Sequence, residues 1–381
     1  MIVQGSDLAL QDMIDRAAAR SRRFLESLQA RKNYPEGVML FDRSQDVARW
    51  PGMLLPGTYN GIMCLDLLGA LADWPGPRRL SVVNWLLSHR CASGVFRIEG
   101  MTDDAVYKRP ALEDTWAYID FHVTNYTLGA LQALAPEDRP VLDFVRPWLD
   151  PVWLKAWLAE RDLRDPWLEG NNIVNLASFL GLLKEEGDPL TVGRVREAFA
   201  VLFDWHDRLQ EPSTGFWGVG QMQGGERLLH AMAGSMHNFH IWYACGRQLA
   251  YQDRAVDYVL SREPVWHSAC IDVDEVDLLV HAAQGSPYRS DEIAAWLQRK
   301  LEALLENQNS DGGYPDTLDK PWRQDGWVHG PVIQPGISTT FATWFRWIAI
   351  AMIDGHLWPG RRNWRFRRMI GIGYKRTVGH D

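Results

Sequence analysis

Apolar and amphipathic segments alternate along this chain, and glycines punctuate them. Three turns look alike: Ser93-Gly94-Val95-Phe96, Thr214-Gly215-Phe216-Trp217 and Asp311-Gly312-Gly313-Tyr314. Each follows an amphipathic stretch and joins small polar residues to glycine and an aromatic, a helix C-cap signal. A more apolar segment comes next, over 115–135, 233–250 and 337–353. Another precedes each amphipathic stretch, over 59–72, 171–183 and 272–283. The six apolar segments are interleaved with one-faced segments at 6–31, 77–89, 140–161, 191–210, 252–262 and 289–308. A helix that is apolar all round must be buried, and a one-faced helix can cover it. Strand signals are weak, with no runs of alternating β-branched residues. The pattern predicts an all-α fold: a single (α/α)6 toroid of six inner and six outer helices over 1–358, with 6–31 closing the outer ring.

Composition narrows the class. The chain has 381 residues, 46% of them hydrophobic, enough for one large core. The net charge of −8 argues against nucleic acid as a partner. Cys64, Cys91, Cys245 and Cys270 are scattered, which fits a reducing, cytoplasmic setting. Residues 1–30 carry charges throughout, so no secretory signal is expected there. The apolar stretch 341–353 is short and interrupted by Arg346, the mark of a buried helix. The 19 tryptophans suit a large cavity, a carbohydrate platform or simply a large core.

Residues 359–381 form a basic-aromatic tail. Arg361, Arg362, Arg365, Arg367, Arg368, Lys375 and Arg376 are interleaved with Trp364, Phe366 and Tyr374. That composition suits peripheral contact with an anionic membrane surface. It equally suits a tail that covers an acidic barrel.

In such an alternation all inner helices run the same way, so their N-terminal ends share one mouth. Polar residues gather at those ends: Asn60; Asp114, Trp116, Tyr118 and His122; Glu169, Asn171, Asn172 and Asn175; His237, Asn238 and His240; and Asp272, Asp274 and Glu275. Helix capping accounts for many of these. It leaves out Trp116, Tyr118 and the two histidines, which at i and i+3 share one helix face. The sharpest motif is Cys270-Ile271-Asp272-Val273-Asp274-Glu275-Val276-Asp277. Four crowded carboxylates push at least one pKa upward, and a carboxyl kept protonated can act as a general acid. A solvated acidic helix start is the plainer alternative.

Asp272-Val273-Asp274-Glu275 resembles the DxDD motif of class II terpenoid cyclases. About forty residues later, Gln308-Asn309-Ser310-Asp311-Gly312-Gly313-Tyr314 is similar to that family's QW repeat, and the turns at 93–96 and 214–217 look like degenerate copies. The resemblance implies an isomerase- or lyase-type enzyme that protonates and cyclises an isoprenoid in an aromatic-lined cavity. Asp274 would be the proton donor, with Asp272 and Glu275 as tuning partners. Trp116, Tyr118, His122, Asn171, Asn172, Asn175, His237, His240 and Asp277 would meet the substrate. Three features depart from the family: Glu275 in the fourth motif position, Val276-Asp277 after it, and one toroid in place of two helical domains. Protein prenyltransferase β-subunits belong to the same superfamily, but Asp274 stands where they carry a zinc-binding Cys. A DDxxD metal motif is missing too, since Asp103-Asp104-Ala105-Val106-Tyr107 lacks the last acid. No metal or cofactor is therefore expected.

Two rival readings remain open at this point. Many (α/α)6 barrels process glycans, and the Asn-rich 169–175 segment, His237, His240 and Tyr118 suit a polar oligosaccharide. A helical binding scaffold without catalysis is the third.

Overall fold

The computed structural model describes residues 5–30, 33–98, 100, 115–137, 140–221, 226–323 and 330–373. Twelve α-helices dominate these residues: α1 (Gly5–Ser27), α2 (Leu54–Leu67), α3 (Gly76–Leu87), α4 (Thr115–Leu134), α5 (Pro151–Ala159), α6 (Pro166–Glu186), α7 (Pro189–Leu209), α8 (Arg227–Cys245), α9 (Gln252–Leu260), α10 (Ala269–Gly285), α11 (Ser290–Glu306) and α12 (Thr340–Leu357). Two short strands, β1 (Tyr314–Pro315) and β2 (Ser338–Thr339), pair antiparallel, with Tyr314 opposite Thr339.

The even-numbered helices form a closed ring. α2 packs on α4, α4 on α6, α6 on α8, α8 on α10, α10 on α12, and α12 returns to α2. Every residue of α2 is buried, as are Ile271–Ala282 of α10 and Thr340–Asp354 of α12. The odd-numbered helices bury one face each: α7, for example, turns Val195, Ala198, Phe199, Leu202 and Trp205 inward. Residues 6–31 were expected to close the outer ring, and α1 does contact α11, α12 and α2.

Boundaries shift where capping chemistry decides them. Segment 140–161 is not one helix. It divides into a short tight-helical turn over Asp143–Leu149 and α5, with the break at Asp150, which is extended and caps α5 just before Pro151. α6 starts earlier than expected: Asp165 accepts from Leu168 N, and Pro166 occupies the first turn. α8 stops at Gly246, which takes the left-handed conformation.

The glycine turns share one construction. Gly94, Gly215 and Gly312 all have positive φ (100°, 79° and 91°), and a Cβ at any of them would strike a backbone carbonyl. Two residues on, the aromatic N–H donates to a hydroxyl on the next inner helix. Phe96 N donates to Thr124 Oγ1 (2.8 Å), Trp217 N to Ser235 Oγ (2.9 Å) and Tyr314 N to Thr343 Oγ1 (2.9 Å). A fourth copy, invisible to the aromatic pattern, occurs at Gly37 (φ 103°), where Met39 N donates to Thr58 Oγ1 (3.0 Å). Each turn thus locks an outer helix to the following inner one.

Residues 359–373 are a strap across the toroid. Trp364, Met369, Ile370 and Ile372 join the core. Arg362 pairs with Asp354 and Asp15, and Arg367 with Asp66. Gly371 lies against Ser178 and Gly181 of α6 so closely that a Cβ would meet Ser178 O at 1.8 Å. Asp66, Ser178 and Asp354 lie toward the C-terminal ends of α2, α6 and α12, so the strap crosses the end opposite the mouth. Of the two readings of the basic segment, this placement corresponds to the one that covers the barrel. Tyr374, Lys375 and Arg376 lie outside the described residues. Among the described residues, no helix is long and apolar enough to cross a membrane.

Candidate active site

A cavity of about 250 Å³ opens at the mouth of the ring. Its wall mixes aromatic rings with polar and charged groups. α4 contributes the stripe Tyr118, His122 and Tyr126, spaced four residues apart on one face. Trp167 and Asn171 come from α6, and Phe341 and Phe345 from α12. Trp322, Lys320 and Arg323 line it from the loop after β1. The rings pack edge-on and stacked: Tyr118 on His122 (5.6 Å between centroids), His122 on Tyr126 (4.6 Å) and Tyr126 on Trp344 (5.4 Å). Burial, helped by the Arg368 charge, pushes His122 down to about 3, so its imidazole is neutral.

The acidic motif is sorted by helical geometry. Asp272 and Glu275, at i and i+3, share one face of α10; Asp274 and Asp277, also at i and i+3, share another. Asp272 and Glu275 are saturated with cations. Lys300 Nζ of α11 sits 2.5 Å from Asp272 Oδ1 and 2.9 Å from Glu275 Oε2. Arg262 Nε binds Glu275 Oε1 at 2.7 Å, and Arg346 pairs with Asp272. His267 N also donates to Asp272. This buried network ties α10 to α11, α12 and the end of α9.

Asp274 has a different environment. It is fully buried, and neither carboxyl oxygen has a hydrogen-bond partner. Oδ1 stands 3.7 Å from His237 Nε2 and 3.7 Å from Arg368 Nη1. Burial raises its pKa well above the ordinary carboxylate range. The Arg368 guanidinium opposes that rise, while Asp277 and Glu275 add to it. Desolvation is the largest of these influences, and the net shift is upward, toward the neutral acid.

Arg368 is the residue that local sequence patterns do not reveal. The strap carries its guanidinium into the ring, where it is 3% exposed. Nη2 donates to His237 Nε2 at 2.5 Å, and the guanidinium lies 4.7 Å from the Phe345 ring centroid. A guanidinium has only donors, so His237 must present the Nε2 lone pair and carry its proton on Nδ1. Burial first, and Arg368 next, hold the His237 pKa well below its usual value. Both Arg368 and His237 line the cavity.

Below this level is a second cluster. His240 Nε2 lies 2.8 Å from Asp277 Oδ2, and His281 Nδ1 lies 2.7 Å from Asp277 Oδ1. The two imidazoles hold the Asp277 carboxyl well below the ordinary range, overcoming the upward push of burial.

No known protein family matches the sequence. Nor does any curated protein. Among solved structures the chain is similar to a type II terpene cyclase, MstE from Scytonema, in complex with its substrate geranylgeranyl dihydroxybenzoate. The identity is 13%, the match covers 92% of this chain and 99% of that one, and the TM-score is 0.47.

Of the residues singled out from sequence, Tyr118, His122, Asn171 and His237 line the cavity, and Asp274 sits behind His237. The others face elsewhere. Asn172 donates to Glu169, which Arg161 also binds. Asn175 accepts from Asn125 of α4. His240 and Asp277 pair with each other, and Asp272 and Glu275 belong to the Lys300 network. Asp114 and the Trp116 side chain lie outside the described residues. Tyr126 and Phe345 could have been found from sequence, since each extends a stripe by one turn, from His122 and Phe341.

Proposed function

We propose that this protein is a class II terpenoid-cyclase-like enzyme that protonates an isoprenoid and cyclises it, with Asp274 as the general acid. One observation carries the proposal: Asp274 is a fully buried carboxyl whose pKa burial raises, 3.7 Å from His237 and from Arg368, both of which line the cavity. Burial keeps a proton on such a carboxyl, and the Arg368 charge beside it lowers the cost of releasing that proton to a weak base such as an alkene. In the reaction the alkene π electrons take the Asp274 proton. A C–H bond forms, the O–H bond breaks, and a tertiary carbocation and the Asp274 carboxylate result. The faces of Tyr126, Phe341 and Phe345 stabilise the cation as further double bonds attack it. The new carboxylate is stabilised by Arg368, whose attraction grows as the charge appears. Loss of a proton from the final cation completes the cycle.

The polar residues that would suit an oligosaccharide are mostly engaged elsewhere: Asn172 with Glu169, Asn175 with Asn125 and His240 with Asp277. Six cavity residues offer aromatic faces on which a hydrocarbon chain can lie. The test is Asp274→Asn assayed with polyprenyl substrates, free and joined to aromatic acids, and cyclised products read by mass spectrometry. Cyclised products from the parent protein and at least about 100-fold slower turnover in a folded variant support the proposal. Unchanged turnover overturns it.

A further inference from the structure

Three residues beneath the acid are arranged as metal ligands. His240 projects from α8, and Asp277 and His281 project from α10 at i and i+4, so one face of one helix meets a single turn of its neighbour. All three are buried, and their ligating atoms lie within 4.8 Å of one another. The carboxylate offers one oxygen to each imidazole: Oδ2 to His240 Nε2 at 2.8 Å and Oδ1 to His281 Nδ1 at 2.7 Å.

These two contacts are not equivalent. The one from His240 is a hydrogen bond. The one from His281 is shared: Nδ1 also donates to the Asp277 backbone carbonyl at 3.0 Å. Two imidazole nitrogens and both oxygens of one carboxylate are thus in close contact and fully buried. Donors around a tetrahedral ion at about 2.0–2.2 Å stand about 3.3–3.6 Å apart, so each imidazole need draw back from the carboxylate by less than about 1 Å to admit one. The orientation of His281 is fixed as well, because Tyr243 stacks on it at 4.4 Å with 3° between the ring planes.

We propose that His240, Asp277 and His281 form a divalent-cation site suited to zinc. Two imidazoles and a carboxylate binding through both oxygens supply four donor atoms, the number a structural zinc site takes. Bound metal replaces the His240 proton at Nε2 and the His281 proton at Nδ1; each moves to the other nitrogen of its ring, so both imidazoles stay neutral and His281 gives up its bond to the Asp277 carbonyl. The ion clamps α8 to α10 one turn below the His237 and Asp274 pair and fixes the facing of those two side chains. The site is separate from the acidic residues at 272–275 that resemble a family motif, and it requires nothing of the proposed cyclisation.

The experiment uses the full chain, stripped with a chelator and titrated with zinc chloride by calorimetry, with bound metal measured by mass spectrometry. The expected result is about one tightly held zinc per chain, with binding weakened more than about 100-fold in Asp277→Asn and His281→Gln. Cobalt(II) loading of the unaltered chain needs no variant. It should give the intense visible bands of a four-coordinate ion, which zinc then abolishes. Far less than one zinc per chain, zinc affinity unchanged in both variants, or only the weak spectrum of six-coordinate cobalt overturns the site. Every readout is made without substrate, so the outcome does not depend on the fate of the cyclase reading.

Discussion

Arg368 Nη2 lies 2.5 Å from His237 Nε2, although the two residues are 131 positions apart in the chain. The contact carries a fixed positive charge to the acid that the proposed chemistry uses. It makes the strap part of the site as well as part of the core.

Asp274 sets a pH dependence whose sign follows from its environment. Its folded pKa is raised, so the acid form persists above the ordinary carboxylate range. Turnover should be full at low pH, within the range where the fold survives, and fall as pH climbs through the raised value. Arg368 pulls that value down, so Arg368→Gln should move the alkaline limb upward, by about 1–3 pH units. Arg368→Lys should keep most of the parent profile. A pH–rate profile checks this, and an alkaline limb that stays put in Arg368→Gln counts against the pairing.

Gly371 holds the strap in place. Alanine there would drive a Cβ to 1.8 Å from Ser178 O, with backbone on both sides of the clash. Gly371→Ala should lower stability by about 1–3 kcal/mol, the usual cost of overpacking. It should also displace Arg368. Urea denaturation measures the first effect, and the pH–rate profile of the same variant reads the second.

The Lys300 network is a stability element. Lys300 is fully buried between Asp272 and Glu275, and removing it leaves two buried carboxylates with fewer partners. Lys300→Met should destabilise the fold by about 3–5 kcal/mol. Thermal and chemical unfolding should agree on the loss. A change near zero would mean that Arg262 and Arg346 suffice.

The repeated turn predicts a repeated energy. Thr343→Val, Thr124→Val and Ser235→Ala each strand one buried backbone N–H, on Tyr314, Phe96 and Trp217. Each should cost about 1–3 kcal/mol. Denaturation midpoints of the three variants should fall together, and a variant that unfolds like the parent would remove its turn from the set.

The helical plan was legible because its causes are local. Burial on all sides or on one side follows a helix's own residues, and a glycine turn with positive φ is written at Gly94, Gly215 and Gly312. Even the unexpected break of 140–161 traces to Asp150 and Pro151 within it. The turn at Gly37 escaped because Met39 takes the place of the aromatic while keeping the backbone bond to Thr58.

The site was legible only in part. Helical spacing alone pairs Asp272 with Glu275 and Asp274 with Asp277, but which pair faces the ring interior depends on what α10 packs against. Lys300 and Arg262 come from neighbouring elements and neutralise one pair, whereas at Asp274 desolvation outweighs the opposing Arg368 charge. Sequence by itself determined the helices, their alternation and the acids at one mouth, because periodicity and capping are read within a few turns. Only the tertiary structure decided which acid is isolated and which arginine reaches it. Those outcomes depend on burial and on contacts between segments far apart in the chain, and no local pattern encodes either.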